Sequence, residues 1–173
     1  MRKFAIVYWL LPAKPERELF CDVVRILRKE FRGPNFEPHL TLFTHSKDKQ
    51  SAKKTLNQIR ARPIRLTARG AAFSEKFTKT LFVRFRSSPA LRKLVSDLAR
   101  ASKARAKAPK NPHVSLVYKK IPRGTKKSLA AVLRFPFRTV RFDMIAAVRC
   151  RLPSRAKADV ESWKILAKKS LRR

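Results

Sequence analysis

A chain of 173 residues with 44% hydrophobic content has material for a real core and is too apolar for a disordered protein. Lys and Arg number 44 against 11 Asp and Glu, a net charge of +33, and such a field attracts polyanions and repels cations. That charge makes nucleic acid the first partner to consider and an acidic membrane surface the second, and no apolar run is long enough to cross a bilayer.

Residues 4 to 11, FAIVYWLL, read as a buried strand that Pro12 and Pro15 end. With Met1-Arg2-Lys3 ahead of it the segment has the outline of a secretory signal, but it lacks an A-x-A cleavage site and Lys14-Pro15 follows at once. Glu16 to Phe31 repeats Leu19, Val23, Ile26, Leu27 and Phe31 at helical spacing, with Glu16 and Glu18 in the first turn and Gly33-Pro34 as a stop. A strand over about Pro38 to Thr44 carries His39, and a polar helix follows over Lys47 to Arg60. Residues 64 to 73 and 80 to 86 read as hairpin partners, and Pro89 to about Lys107 as the next helix. The strand holding His113 comes next, then a helix over Pro122 to Val132, then strands over 136 to 150 and 160 to 167. The alternation argues against an all-β or all-α fold. The length suits one domain over residues 1–173, or two small lobes sharing a core.

Two stretches repeat: EPHLTLF at 37 to 43 and NPHVSLVY at 111 to 118. Each puts Pro before His, a hydroxyl two residues after it and Leu next, and each lies between helices. These two histidines are among only three in the chain. Side chains alternate along a strand, so His39 shares a face with Thr41, and His113 with Ser115, over an apolar underside. If the duplicated units face each other, two imidazoles and two hydroxyls meet in one space.

Such a set suits a phosphodiester. Hydrolysis needs a base for the attacking water and an acid for the departing sugar oxygen, and imidazole serves as either near neutral pH. The hydroxyls of Thr41 and Ser115 can donate to non-bridging phosphate oxygens. The sequence groups no carboxylates to bind a metal, and neither a metal nor another cofactor is expected. Cys21 and Cys150 have no metal-like spacing, and a reduced pair in the cytoplasm is the default. His45 falls at the end of its strand and reads as an exposed loop residue; Phe77 and Phe82 are candidates for the rim or the core. Lys79, Lys110 and Lys119 flank the strands of the expected cleft.

The paired H-x-[T/S] motifs resemble those of the two-histidine (2H) phosphoesterases, over nearly the whole chain. The form GPNFEPHLTL is similar to the plant and yeast cyclic phosphodiesterase branch. The resemblance implies an α+β fold: two pseudo-symmetric antiparallel sheet lobes with outer helices and a central cleft. It implies His39 and His113 as the acid–base pair and Thr41 and Ser115 as phosphate ligands. Trp9 and Tyr118 match aromatics that hold the nucleotide in that branch, though strict alternation from His113 puts Tyr118 on the opposite face unless the strand twists, bulges or ends first. The implied substrates are nucleoside 2′,3′-cyclic phosphate and ADP-ribose 1″,2″-cyclic phosphate, cleaved by a cytoplasmic monomer. The alternatives are an RNA 2′,3′-cyclic phosphodiesterase, or 2′–5′ RNA ligase, acting on RNA ends, and a non-catalytic RNA-binding module. Non-specific nucleic-acid binding through the basic surface fits any of the three.

Overall fold

The computed structural model describes residues 3–45 and 49–172. Met1 and Arg2 of the signal-like start, and Lys47 and Asp48 of the expected polar helix, lie outside the described residues. Strand β1 (Lys3–Pro12) leads into α1 (Glu16–Phe31), β2 (Leu40–His45) and α2 (Lys49–Gln58). The hairpin β3 (Ile64–Phe73) and β4 (Leu81–Phe85) encloses a 3-10 turn at Phe77–Lys79 and precedes α3 (Pro89–Ala101). The chain continues through β5 (His113–Val117), α4 (Arg123–Val132), β6 (Thr139–Leu152), α5 (Lys157–Glu161) and β7 (Lys164–Ser170). Among the described residues no helix is long and apolar enough to cross a membrane.

The strands form one sheet in the order β1-β2-β5-β4-β3-β6-β7, and β1 also pairs with β6. The two expected lobes are therefore halves of a continuous sheet. One half is β2, β1, β6 and β7; the other is β5, β4, β3 and the first residues of β6. The halves meet at two seams. Thr139–Phe142 of β6 pair with β3, and β2 touches β5 through the single register pair Leu40↔Val114.

From Ile6 to Leu11 β1 is an unbroken apolar run, and both of its faces are buried there. Ile6, Tyr8 and Leu10 enter the main core, which α1, α2 and α3 cover with Phe20, Leu27, Ala52, Leu56, Leu91, Leu94 and Leu98. Val7, Trp9 and Leu11 enter a smaller cluster on the opposite face, with Ala146, Val148 and Cys150 of β6. Burying one such large side chain contributes roughly 1.5–3 kcal/mol.

Helix boundaries follow local chemistry. The left-handed residue that ends α1 is Arg32 (φ 52°), one position before the glycine, and the amide of Gly33 donates to the Arg28 carbonyl at 3.0 Å. Ser88 caps α3 by accepting from the Leu91 amide at 3.1 Å, with Pro89 beginning the first turn. That helix stops six residues earlier than the apolar spacing predicts. Lys103 turns left-handed (φ 54°), and the Ala104 amide donates to Ala99 at 2.8 Å. The expected strand over 160 to 167 begins with the short helix α5 instead. The Asp159 carboxylate accepts from the amides of Arg155 (2.9 Å) and Ala156 (3.0 Å), which fixes that turn.

Alternation along β2 breaks once. Tyr8 pairs with Phe43 but Trp9 pairs with Thr41, so Leu42 is an extra residue on β2. Leu42 and Phe43 both enter the core, and Thr41 and Thr44 emerge on the other face. His45 follows, half-buried and opposite Ile6, away from the face that bears Trp9.

Candidate active site

His39 sits just before β2 and His113 opens β5, so each imidazole stands at the β2–β5 seam. The two are held alike. His39 Nδ1 lies 2.7 Å from the Glu37 carbonyl oxygen, and His113 Nδ1 lies 3.0 Å from that of Asn111. A carbonyl only accepts, so each Nδ1 carries the proton and each Nε2 keeps its lone pair for whatever enters. The prolines at 38 and 112 set this geometry. They bias the residue before them, whose carbonyl each ring meets, to extended backbone. An ion pair between Arg17 of α1 and Glu37 ties down the first of these carbonyl-bearing residues.

Both imidazoles line one cavity of about 270 Å³, with Trp9, Thr41, Thr44, Thr78, Ser115, Tyr118, Cys150 and Trp163. They are close enough that charge on His113 disfavours charge on His39. Thr41 is exposed on the cavity face of β2, whereas Ser115 is 3% exposed and donates to the Thr78 carbonyl at 3.1 Å. Burial raises the Tyr118 phenol, against an opposing pull from the neighbouring Ser115 side chain. Tyr118 reaches the cavity because β5 ends at Val117, which frees the next residue from alternation. Its ring packs on Phe36 at 4.3 Å and on Trp163 at 5.4 Å between centroids.

Trp9 is 3% exposed, and its ring stacks on that of His39 at 3.6 Å and 8°. The contact the resemblance implies for Trp9 is with a nucleotide; in this structure one face of the indole is taken by the imidazole. Trp163 meets His39 edge-on at 5.8 Å, and its Nε1 donates to Ser154 Oγ at 3.3 Å. Trp163, Thr44 and Thr78 were not legible as site residues in the sequence. The first follows an unpredicted helix, the second emerges through the bulge, and the third contributes a backbone carbonyl. Phe82 is buried against His113 (5.2 Å, edge-on), and Lys79 Nζ lies 4.6 Å from the Phe82 ring centre. Lys110 and Lys119 do not line the cavity, nor does Phe77, whose ring stacks on Tyr118 at 6.3 Å.

Burial, and then the neighbouring His113, push the His39 pKa down to about 3, against the opposing pull of its bond to Glu37. His113 is lowered too, by burial and by the Lys79 ammonium. Burial raises the Cys150 thiol to about 12, so it lines the cavity as a small inert apolar group. Cys21 is exposed, and both cysteines are free. Among the described residues no three His, Cys, Asp or Glu are grouped to hold a metal. A larger cavity of about 540 Å³ lies between the end of α2 and the end of β7, lined by Arg60, Arg62, Lys169 and Arg172. Among the described residues its lining has no imidazole or carboxylate to form an acid–base pair.

The low His39 pKa has a consequence for stability. Above the unfolded value of 6.5 both states hold the ring neutral. Between 6.5 and about 3 the unfolded chain takes a proton that the native site refuses, so stability falls as pH falls. The loss is on the order of 1.4 kcal/mol per pH unit within that window. A His39→Asn variant should lack this component, giving a flatter urea midpoint between pH 7 and pH 4 than the parent. Superimposable pH profiles would show that His39 is not excluded from protonation.

A sheet of this form, with one His-x-Thr/Ser motif from each half meeting in one cavity, defines the class: the two-histidine phosphoesterase fold, whose members hydrolyse or join phosphoesters. The chain belongs to the 2′-5′ RNA ligase superfamily, whose family model matches residues 16–151. No curated protein sequence matches it. The fold is similar to E. coli LigT in its apo form, with a TM-score of 0.61 and 17% identity over 100% of both chains. LigT complexed with 3′-AMP gives a TM-score of 0.58 at 13% identity, covering 98% of this chain and 99% of that one. TT0787 of Thermus thermophilus gives 0.58 at 20% identity, covering 99% and 98%.

Proposed function

We propose that this protein hydrolyses cyclic phosphodiesters, with nucleoside 2′,3′-cyclic phosphate as the basic substrate unit, by an acid–base pair made of His39 and His113. The observation that carries this reading is the matched state of the two rings. Each is fixed through Nδ1 to a carbonyl two residues back, and each presents Nε2 to the same cavity.

The chemistry balances with one water. One neutral imidazole takes a proton from the attacking water as its oxygen bonds to phosphorus. The other, protonated, gives its proton to the ribose oxygen as the P–O bond breaks. The product is a phosphate monoester beside a free hydroxyl. The two rings finish with exchanged protonation states, which bulk solvent resets. An anionic phosphodiester between the rings opposes their downward pKa shifts and favours protonation of one of them. Thr41 and Ser115 are the hydrogen-bond donors for the non-bridging oxygens, and Lys79 adds positive charge nearby. Trp9 acts chiefly on His39, whose ring it holds flat, while Trp163 and Tyr118 form the aromatic wall a nucleoside would meet. LigT, of the same fold, is known with 3′-AMP, a nucleoside monophosphate of this chemical kind.

The direct test is incubation with a 2′,3′-cyclic nucleotide in excess EDTA. Formation of one monoester is the expected result. Loss of turnover on chelation, restored by a divalent ion, would replace the metal-free mechanism. Thr41→Ala and Ser115→Ala should each lower kcat/KM by about 10–10²-fold, the worth of one hydrogen bond to a charged group. Ser115 must turn its proton from the Thr78 carbonyl toward phosphate, so its loss should be the milder of the two. Steady-state kinetics on purified variants measure both.

A further inference from the structure

We infer that Lys126 of α4 is a positioning residue for the active site: its ammonium clamps the turn between β3 and β4, and so holds Thr78 and Lys79 against Ser115 and His113. The inference rests on the phosphodiester reading above and adds to that site a residue from outside the cavity.

Helical spacing puts Lys126, Leu129 and Ala130 on one face of α4, and the helix packs on β3. Leu129 and Ala130 pack against the main core. A third apolar side chain would suit position 126, yet a lysine stands there, 2% exposed. It is the one buried lysine among the described residues, and its neighbour Lys127 is exposed. A buried ammonium is costly unless it is paired and hydrogen-bonded. Lys126 meets that demand from the turn: Nζ donates to the Ser74 carbonyl at 3.0 Å and to the Glu75 carboxylate at 2.7 Å. The second bond holds the Glu75 carboxyl below the usual carboxylate range. Apolar residues often replace such a buried pair at no loss of stability, so its effect is sought in what it positions.

The clamped turn is closed on itself and reaches the cavity. The Ser74 amide donates to the Thr80 carbonyl at 3.1 Å and the Lys79 amide to the Lys76 carbonyl at 2.9 Å. The Thr80 hydroxyl donates to the Lys119 carbonyl at 2.9 Å, which joins the turn to the chain beyond β5. On the cavity side the Thr78 carbonyl accepts from Ser115, and Lys79 lies over the Phe82 ring, which meets His113 edge-on. The Lys79 ammonium disfavours charge on His113. A shift of Ser74 and Glu75 is therefore felt a few residues on, at the hydroxyl that would meet phosphate and at the imidazole beside it. The other groups facing His113 are Arg84, its cross-strand partner on β4, and His39 across the seam. Arg84 is turned to the Arg69 carbonyl at 3.3 Å, and burial keeps Tyr118 and Cys150 of the same cavity neutral.

The experiment follows the imidazole titrations by NMR in the free protein, beside kcat/KM on a 2′,3′-cyclic nucleotide. Lys126→Met keeps the stem and removes the clamp. It should lower kcat/KM about 10–10²-fold and raise the His113 midpoint as Lys79 withdraws. Lys79→Met should raise that midpoint too, and adding Lys126→Met to it should raise it no further. A direct field of Lys126 on His113 would instead persist in that background. An unchanged His113 midpoint in folded Lys126→Met, an equal rise with and without Lys79, or parent-like kcat/KM overturns the inference. Where Lys126→Met does not fold, Glu75→Ala tests the exposed end of the same contact. Loss of a carboxylate by itself lowers the His113 midpoint, so a rise supports the clamp, and a fall or no change overturns it. If the parent turns over no cyclic phosphate, the phosphodiester reading fails, and the titrations, which need no substrate, still decide the clamp.

Discussion

Replacing His39 by alanine should lower turnover of a 2′,3′-cyclic phosphate by about 10²–10⁴-fold, and replacing His113 should do the same. The size follows from the role: each substitution deletes one positioned proton transfer and leaves the cavity, the hydroxyls and Lys79 in place. Because both transfers serve one displacement, the double variant should be only slightly worse than the poorer single variant, well short of the product of the two losses. His39 is 4% exposed and packed under Trp9, so alanine there also opens a hole. Asparagine is the better probe, since its side-chain amide can still donate to the Glu37 carbonyl but cannot titrate. Thermal unfolding of each variant separates lost chemistry from lost structure. Near-normal turnover of every cyclic phosphate by either folded variant would remove that histidine from the mechanism.

The second large effect lies beneath the first. Trp9→Ala should destabilise the protein by about 3–5 kcal/mol, the usual cost of deleting a buried tryptophan. That is a large share of the roughly 5–15 kcal/mol typical of a folded protein. The smaller apolar cluster has few members, and Trp9 joins it to the imidazole at 3.6 Å. Urea unfolding measures the stability term. Trp9→Phe keeps a ring under His39 and separates the two roles available to the indole. If Trp9 positions His39, kcat falls with KM nearly unchanged; if it mainly contacts the nucleotide, KM rises instead.

The sequence made the bounds of α1 legible, because acidic first turn and stop signal agree over Glu16–Phe31, but the helix buries Phe20, Val24 and Leu27, and Ile26 of the expected apolar set is exposed. It also exposed the histidine pair, since a repeated Pro-His-x-Thr/Ser is local information. What it hid is tertiary. The bulge at Leu42 depends on how β2 meets β1, and it moves Thr44 into the cavity and His45 out of it. Trp163 follows a helix fixed by an Asp159 carboxylate, a detail no hydropathy pattern reports. The Arg17–Glu37 pair joins residues twenty apart that look like ordinary surface charges.

The placement of β1 also governs how the molecule is made. Its ten residues pair with β6 from Lys3↔Leu152 to Pro12↔Phe142, so this strand is synthesised well before that partner, which lies more than a hundred residues behind it. Such long-range pairing slows folding, and an unpaired apolar strand is an aggregation hazard in the interval. The excess positive charge opposes that hazard by keeping nascent chains apart, which gives the +33 a use before any ligand arrives.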